Sequence, residues 1–209
     1  HRDLHLSLRR QRQMCIRDRV WMRIESKKRG DGVEFIHSLV GQNVDRVFVP
    51  SVEKGVMAAC TEGVLAGYRV VDVKADFYDG KQHPVDSKDI AFQMAGKQAF
   101  RDAFLQAQPC LLEPILNIEI KVPEEFMGDV MGDMSSRRGK IMGMDAEGAF
   151  QLIKAQAPQS EMYHYSTTLR SLTGGRGIHS EKFSHYEEVP RDMEAKVIAE
   201  SKTDQEEES

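Results

Sequence analysis

Pro109 is the point at which the pattern of this chain stops and begins again. Proline has no backbone N–H and clashes with a preceding helical turn, so it ends the long helical stretch before it. Residues 110–114 form the boundary between two blocks. Before it, apolar periodicity reads β–β–α–β–α, an α+β layer. After it, the order is β–α–β–β–α–β, the split-βαβ arrangement of ferredoxin-like domains.

In the first block, residues 20–25 (VWMRIE) alternate apolar and polar, as a half-buried strand does. Residues 27–32 are a polar turn, and residues 33–40 (VEFIHSLV) read as a second strand that closes an antiparallel hairpin. His37 reads as a sheet-face residue. Residues 50–65 are helical. Val49, Val52, Val56, Met57 and Cys60 form the apolar stripe, Pro50 lies in the opening turn, and Gly63 and Gly67 lie at and beyond the end. A strand over residues 70–78 then leads to a polar turn over 79–85. Asp86 is placed to cap the next helix and Asp89 to favour its dipole from the third position. That helix spans residues 87–106, roughly 30 Å at 1.5 Å per residue. Ile90, Met94, Ala95, Ala99, Phe104 and Leu105 are expected on its buried face. The stretch 78–92 (YDGKQHPVDSKDIAF) therefore presents His83 on a short loop carried by two regular elements, an arrangement that often serves function.

In the second block, residues 115–122 (ILNIEIKV) alternate as a strand, and Pro123, Glu124 and Glu125 open a helix through Arg138. Gly139 is placed to cap it. Residues 140–144 and 150–157 read as a strand pair, residues 160–172 as a short helix, and residues 178–186 as the last strand. A closing helix over 191–200 runs into an acidic tail of disordered composition.

Residues 1–19 (HRDLHLSLRRQRQMCIRDR) differ from the rest: they are arginine-rich and lack a helical stripe. They read as a non-native leader, an adapter or assembly scar, rather than a basic RNA-binding arm, and they are left out of the fold. The net charge of −4 argues against wholesale coating of nucleic acid but leaves room for local basic patches. Cys15, Cys60 and Cys110 are too far apart for a disulfide framework or a zinc pattern and suit a reducing cytoplasm. The N-terminus has no apolar signal-peptide core, and no apolar run is long enough to span a membrane.

Catalytic signatures are missing. The sequence contains no G-x-x-x-x-G-K-[ST], G-x-S-x-G, H-E-x-x-H or C-x-x-C. Gly174 to Gly177 reads as a turn, and the spacing of His164, His179 and His185 fits no metal site. The run Arg137, Arg138, Gly139, Lys140 has two readings. One is a solvated helix end, where cations are favoured; the other is a phosphate contact, since guanidinium forks match phosphate oxygens. Tyr163 and Tyr165 lie near the start of the second helix of the same block, where aromatics either pack or stack on unpaired RNA bases.

Several long stretches, in order, closely resemble the C-terminal part of bacterial elongation factor G. They are residues 78–92, 95–100 (AGKQAF), 111–115 (LLEPI), 123–144 (PEEFMGDVMGDMSSRRGKIMGM), 169–177 (LRSLTGGRG) and 185–190 (HYEEVP). The likeness runs from about residue 20 to 199, and residues 82–96 resemble elongation factor G-like paralogues somewhat more than the translocase itself. It implies an α+β chain: a ribosomal-protein-S5-like domain without its N-terminal part over residues 20–110, a ferredoxin-like domain over 111–190, and a helix and acidic tail over 191–209. In the family, the S5-like domain has a left-handed βαβ crossover, and it begins with a further strand and a glycine-rich tip loop. Their absence implies an exposed sheet edge here.

The resemblance implies a monomeric cytoplasmic module that binds the ribosome and makes or breaks no bond. Its partners would be transfer RNA and messenger RNA in the small-subunit decoding centre, and large-subunit RNA. GTP and Mg belong to an N-terminal domain of the intact factor, whose task is GTP-dependent translocation; no cofactor is expected in this chain. His83 matches the family's tip histidine, with Lys81 and Gln82 beside it and Asp79, Gly80 and Asp86 holding the loop. Arg137, Arg138 and Lys140 are the expected ribosomal-RNA contacts. Two alternatives remain: a paralogue acting in ribosome recycling or protection, and an unrelated phosphotransferase on the S5-like fold, against which the missing phosphate loop speaks.

Overall fold

The structure is a computed structural model that describes residues 11–14, 19–82 and 88–207, with side chains over 19–82 and 88–201. The chain is α+β and divides into two compact units, His1–Pro109 with Ala195–Ser209, and Cys110–Glu194.

The first unit carries strands β1 (Gln11–Met14), β2 (Arg19–Ser26), β3 (Val33–His37) and β4 (Val73–Lys81), and helices α1 (Val49–Glu62) and α2 (Asp89–Gln106). Its sheet order is β1-β2-β4-β3. Along β2, Val20, Met22 and Ile24 point inward while Trp21, Arg23 and Glu25 lie on the other face, the period of two that alternation predicts. They join Ala75 and Phe77 of β4, Val52, Val56 and Ala59 of α1, and Phe92 and Phe100 of α2 in one core. Each fully buried side chain of this size contributes about 1.5–3 kcal/mol.

The expected β2–β3 hairpin is overturned. β4 lies between those strands, antiparallel to β2 and parallel to β3. Alternation shows which face of a strand is buried and says nothing of its neighbour. The centre goes to the strand with most buried positions: Val73, Ala75, Asp76, Phe77 and Gly80 of β4 are all buried, whereas β3 has none. Asp76 is tolerated there because the Ser38 hydroxyl lies 2.8 Å from each of its carboxylate oxygens. The leader set aside above supplies β1, which pairs with β2 from Gln11↔Met22 to Met14↔Arg19.

Helix α2 is rotated from its expected phase. Phe92, Ala95, Gly96, Ala99, Phe100 and Ala103 are buried, while Ile90, Met94 and Leu105 are half exposed or more. The cause is the closeness of α1. A Cβ at Gly55 would lie 2.0 Å from the Gln93 carbonyl oxygen, and one at Gly96 would lie 2.9 Å from that of Val52. Only the smallest side chains fit such a contact, so alanine and glycine take the inner face and the longer aliphatics turn outward. Asp89 opens α2 as its first residue, not its third, and accepts a 2.9 Å hydrogen bond from the Ser51 hydroxyl.

The second unit carries β5 (Leu112–Pro123), α3 (Met127–Ser136), β6 (Lys140–Glu147), β7 (Phe150–Pro158), α4 (Tyr165–Leu172) and β8 (Ile178–Glu188). The antiparallel sheet runs β6-β7-β5-β8, the ferredoxin-like order. Leu116, Ile118, Ile120 and Val122 of β5 face Val130 and Met134 of α3 and Tyr165 and Leu169 of α4. The expected helix over 160–172 breaks in two at His164, whose φ of 57° is left-handed. Helix α5 (Arg191–Glu207) continues well into the acidic tail that composition marks as disordered.

Gly55→Ala is expected to destabilise the first unit by roughly 1–3 kcal/mol, the cost of overpacking. Urea unfolding followed by Trp21 fluorescence measures it. Gly132→Ala, on an open position of α3, should instead stabilise that helix by about 0.5–1 kcal/mol. Amide hydrogen exchange within α3 reads that gain.

Candidate nucleic-acid interface

At the end of β4, Asp79, Gly80 and Lys81 belong to the strand and not to a turn, pairing with Trp21, Val20 and Arg19 of β2. The missing signal was this partner: the Asp-Gly pair reads as a turn until a neighbouring strand satisfies its backbone. A Cβ at Gly80 would come within 2.6 Å of the Arg19 carbonyl and 2.7 Å of Val44, so glycine is needed for space. The Asp79 carboxylate accepts from the Gly80 backbone N–H at 2.8 Å and from Asn43 at 3.3 Å. The Gln82 side-chain oxygen accepts the Asp45 N–H at 2.6 Å, and the Gln82 N–H donates to the Asn43 carbonyl at 3.3 Å. Gln82 therefore anchors the strand end, while Lys81 is exposed.

His83 and Asp86 lie outside the described residues. The two ends of the segment that contains them are both fastened to residues 43–51. Asn43 and Asp45 hold the β4 side. On the α2 side, Phe92 stacks on Phe48 with centroids 4.4 Å apart, and Ser51 binds Asp89. Asn43, Asp45, Phe48 and Ser51 were not identified from the sequence. The available signal was a polar Asn/Asp stretch directly before a proline-opened helix.

In the second unit, the three cations do different work. Arg137 donates to Asp133 at 2.9 Å, to the Glu161 carbonyl at 2.6 Å and to Thr168 at 3.1 Å. Its guanidinium also lies 5.2 Å from the centroid of the buried Tyr165 ring. Arg138 grips Glu113 with two bonds of 2.7 and 2.8 Å and donates to Glu161 at 3.0 Å. The Glu113 fork, and Glu161 after it, raise the guanidinium's affinity for its proton further. Of the three, Lys140 presents its side chain to solvent, 71 % exposed, with Glu187 3.8 Å away. The Glu187 carboxyl is held below its usual range by the His185 hydrogen bond and, less strongly, by the Lys140 charge. The arginines thus resemble internal fasteners more than surface phosphate ligands, and Lys140 carries the outward charge.

The left-handed residue after α3 is Arg138 (φ 56°), not the expected Gly139. Gly139 donates its N–H back to the Met134 carbonyl at 2.9 Å, and a Cβ there would meet Met134 within 2.6 Å. Glycine serves for closeness, while the Glu113 fork holds an arginine in the conformation glycine prefers.

No group of three or more His, Cys, Asp and Glu able to hold a metal occurs among the described residues. Burial pushes the Cys60 thiol up to about 12, which leaves negligible thiolate at neutral pH. No helix among the described residues is long and apolar enough to cross a membrane.

Comparison with known proteins finds two successive family matches. A family model described as Elongation factor G, domain IV matches residues 17–108, and one described as Elongation factor G C-terminus matches residues 110–197. A curated elongation factor G from Aquifex pyrophilus is 53% identical over 177 residues, which is 85% of this chain and 25% of that protein. The chain thus spans about a quarter of the length of that relative. A crystal structure of a Thermus thermophilus protein superposes with a TM-score of 0.74 at 35% identity, covering 93% of this chain and 30% of that one.

Arg138→Ala removes the fork but keeps the left-handed strain, so a loss of roughly 1–3 kcal/mol is expected. Arg138→Gly should be less damaging by about 1 kcal/mol, because glycine adopts this φ freely. Urea denaturation of the two variants, followed by circular dichroism, gives the difference.

Proposed function

Since the chain belongs to the elongation factor G family and carries its domain IV and C-terminal domain, we propose that it is the ribosome-engaging module of a translational GTPase. The observation that carries this is the succession of two family matches over residues 17–108 and 110–197, on two units of α+β structure. The work assigned to this module is steric and electrostatic. The end of β4 delivers His83 and Lys81 to the RNA backbone of transfer RNA and messenger RNA in the small subunit, while the second unit meets large-subunit RNA. GTP, Mg and the hydrolysis they support belong to the remainder of the longer factor.

The clamped geometry around residue 82 supports this division of labour. A tip that pushes on RNA must not yield, and here both flanks are tied to residues 43–51 by hydrogen bonds and a stacked aromatic pair. Gln82 and Asp79 are positioning residues in this reading, with His83 and Lys81 making contact. Lys140 is the second unit's phosphate ligand, and Arg137 and Arg138 hold the loop that presents it. Translocation is favoured over recycling or protection by the relative that bears the name elongation factor G.

In the full-length factor, His83→Ala is expected to slow translocation while GTP turnover continues, measured by stopped-flow messenger-RNA movement beside phosphate release. Unchanged translocation would remove the tip assignment. Lys81→Ala should weaken ribosome binding and lower the slope of log K against log salt by about one.

A further inference from the structure

The loop between β2 and β3 displays the tripeptide Arg29-Gly30-Asp31, and all three residues are exposed. The Asp31 N–H closes the turn on the Lys28 carbonyl at 3.1 Å. Gly30 has a φ of 92°, the positive value that the third position of a type II turn requires. Apart from its two chain neighbours, nothing lies within 4 Å of where a Gly30 Cβ would stand, so the space beside the turn is open.

Asp72 fastens this loop. It is left-handed at φ 57°, and its carboxylate accepts the Gly30 N–H at 2.9 Å and the Gly32 N–H at 3.2 Å. The Asp72 carbonyl accepts the Lys27 N–H at 2.9 Å, and the Gly32 carbonyl accepts that of Val73 at 3.2 Å. A non-glycine residue held in an unfavourable φ to anchor a second segment gives that segment one shape. Such preorganisation lowers the ordering cost of binding. The neighbouring acids are engaged: Glu34 with Lys27 and Glu25 with Lys74, each at 3.0 Å, and Asp72 with the loop backbone. Asp31 differs, since no hydrogen bond or ion pair to its carboxylate occurs among the described residues. Arg29 lies 3.7 Å from Asp72, an exposed contact too long for a hydrogen bond and open to exchange for a closer carboxylate.

We propose that this loop is a docking epitope for a protein that reads Arg-Gly-Asp, one whose cleft holds a divalent cation beside an acidic pocket, the recognition chemistry of cell-adhesion receptors. The Asp31 carboxylate completes the coordination of the cation, a hard ion that takes oxygen ligands. The Arg29 guanidinium forks onto the carboxylates of the pocket. Gly30 puts no side chain between the two charges, so both enter one narrow cleft. A polyanion is served by Lys28 and Arg29 but repelled by Asp31, so an unengaged acid in a basic loop favours a partner that needs both signs. The proposal goes beyond the ribosomal role inferred above and is independent of it.

The test uses the whole chain and the immobilised ectodomain of an integrin that binds Arg-Gly-Asp peptides, with manganese present, read by surface plasmon resonance. Saturable binding is expected, abolished by EDTA and displaced by a cyclic Arg-Gly-Asp peptide. Asp31→Glu keeps the charge but moves the carboxylate outward by one methylene, and should weaken binding roughly tenfold or more. Arg29→Ala should do the same. Lys28→Ala, one residue outside the tripeptide, should bind as the unaltered chain does. All three positions are exposed, and thermal unfolding should stay at the wild-type midpoint. No saturable binding by the unaltered chain, binding that survives EDTA, or unchanged affinity in Asp31→Glu or Arg29→Ala would overturn the proposal. An equal loss in Lys28→Ala assigns the binding to general positive charge and likewise overturns it.

Discussion

The first unit depends on how closely α1 and α2 approach. At Gly55 and Gly96 the backbone of one helix touches the other, with no room for even one methyl group. That contact sets the rotation of α2, which in turn decides that Phe92 and Phe100 fill the core while Ile90 and Met94 meet solvent. It also fixes the start of α2 beside Ser51 and Phe48, on one flank of residues 83–87. A change that forces the helices apart would displace the start of α2 as well, because interiors at crystal-like density transmit displacement.

In the second unit a similar part is played by electrostatics. The Arg138 fork to Glu113, with Glu161 on its other side, ties the start of β5, the turn after α3 and the 3-10 turn before α4 into one cluster. Arg137 adds Asp133, Thr168 and the Glu161 carbonyl. Charged hydrogen bonds of this kind are stronger than neutral ones, and here they are half-buried rather than lost to water. Both arginines are thereby engaged within the protein, whereas Lys140 keeps its side chain in solvent.

Much of the fold was legible in the residues, because alternation and helical spacing report burial directly. β2, β5 and β7 show it, and so does the split-βαβ order of the second block. What failed did so for reasons outside local pattern. The β2–β3 hairpin was wrong because periodicity does not name a strand's neighbour. The phase of α2 was wrong because hydrophobicity ranks isoleucine above alanine, whereas the gap beside α1 admits only the smaller. Asp79 and Gly80 read as a turn because their pairing partners lie some sixty residues earlier in the chain. Of the candidate site, the sequence showed which residues carry charge but not what they meet. Lys81 and Lys140 project as expected, while Gln82, Arg137 and Arg138 bind within the protein.

By itself the sequence determined the α+β class and the family, since each is written in local periodicity or in contiguous motifs. The tertiary structure decided which strand lies at the centre of each sheet, which face of α2 is buried and which cations are engaged within the protein. Each of those depends on what a side chain meets across space. A guanidinium in sequence is equally a phosphate ligand or a fastener, and only the position of Glu113, twenty-five residues away, separates the two.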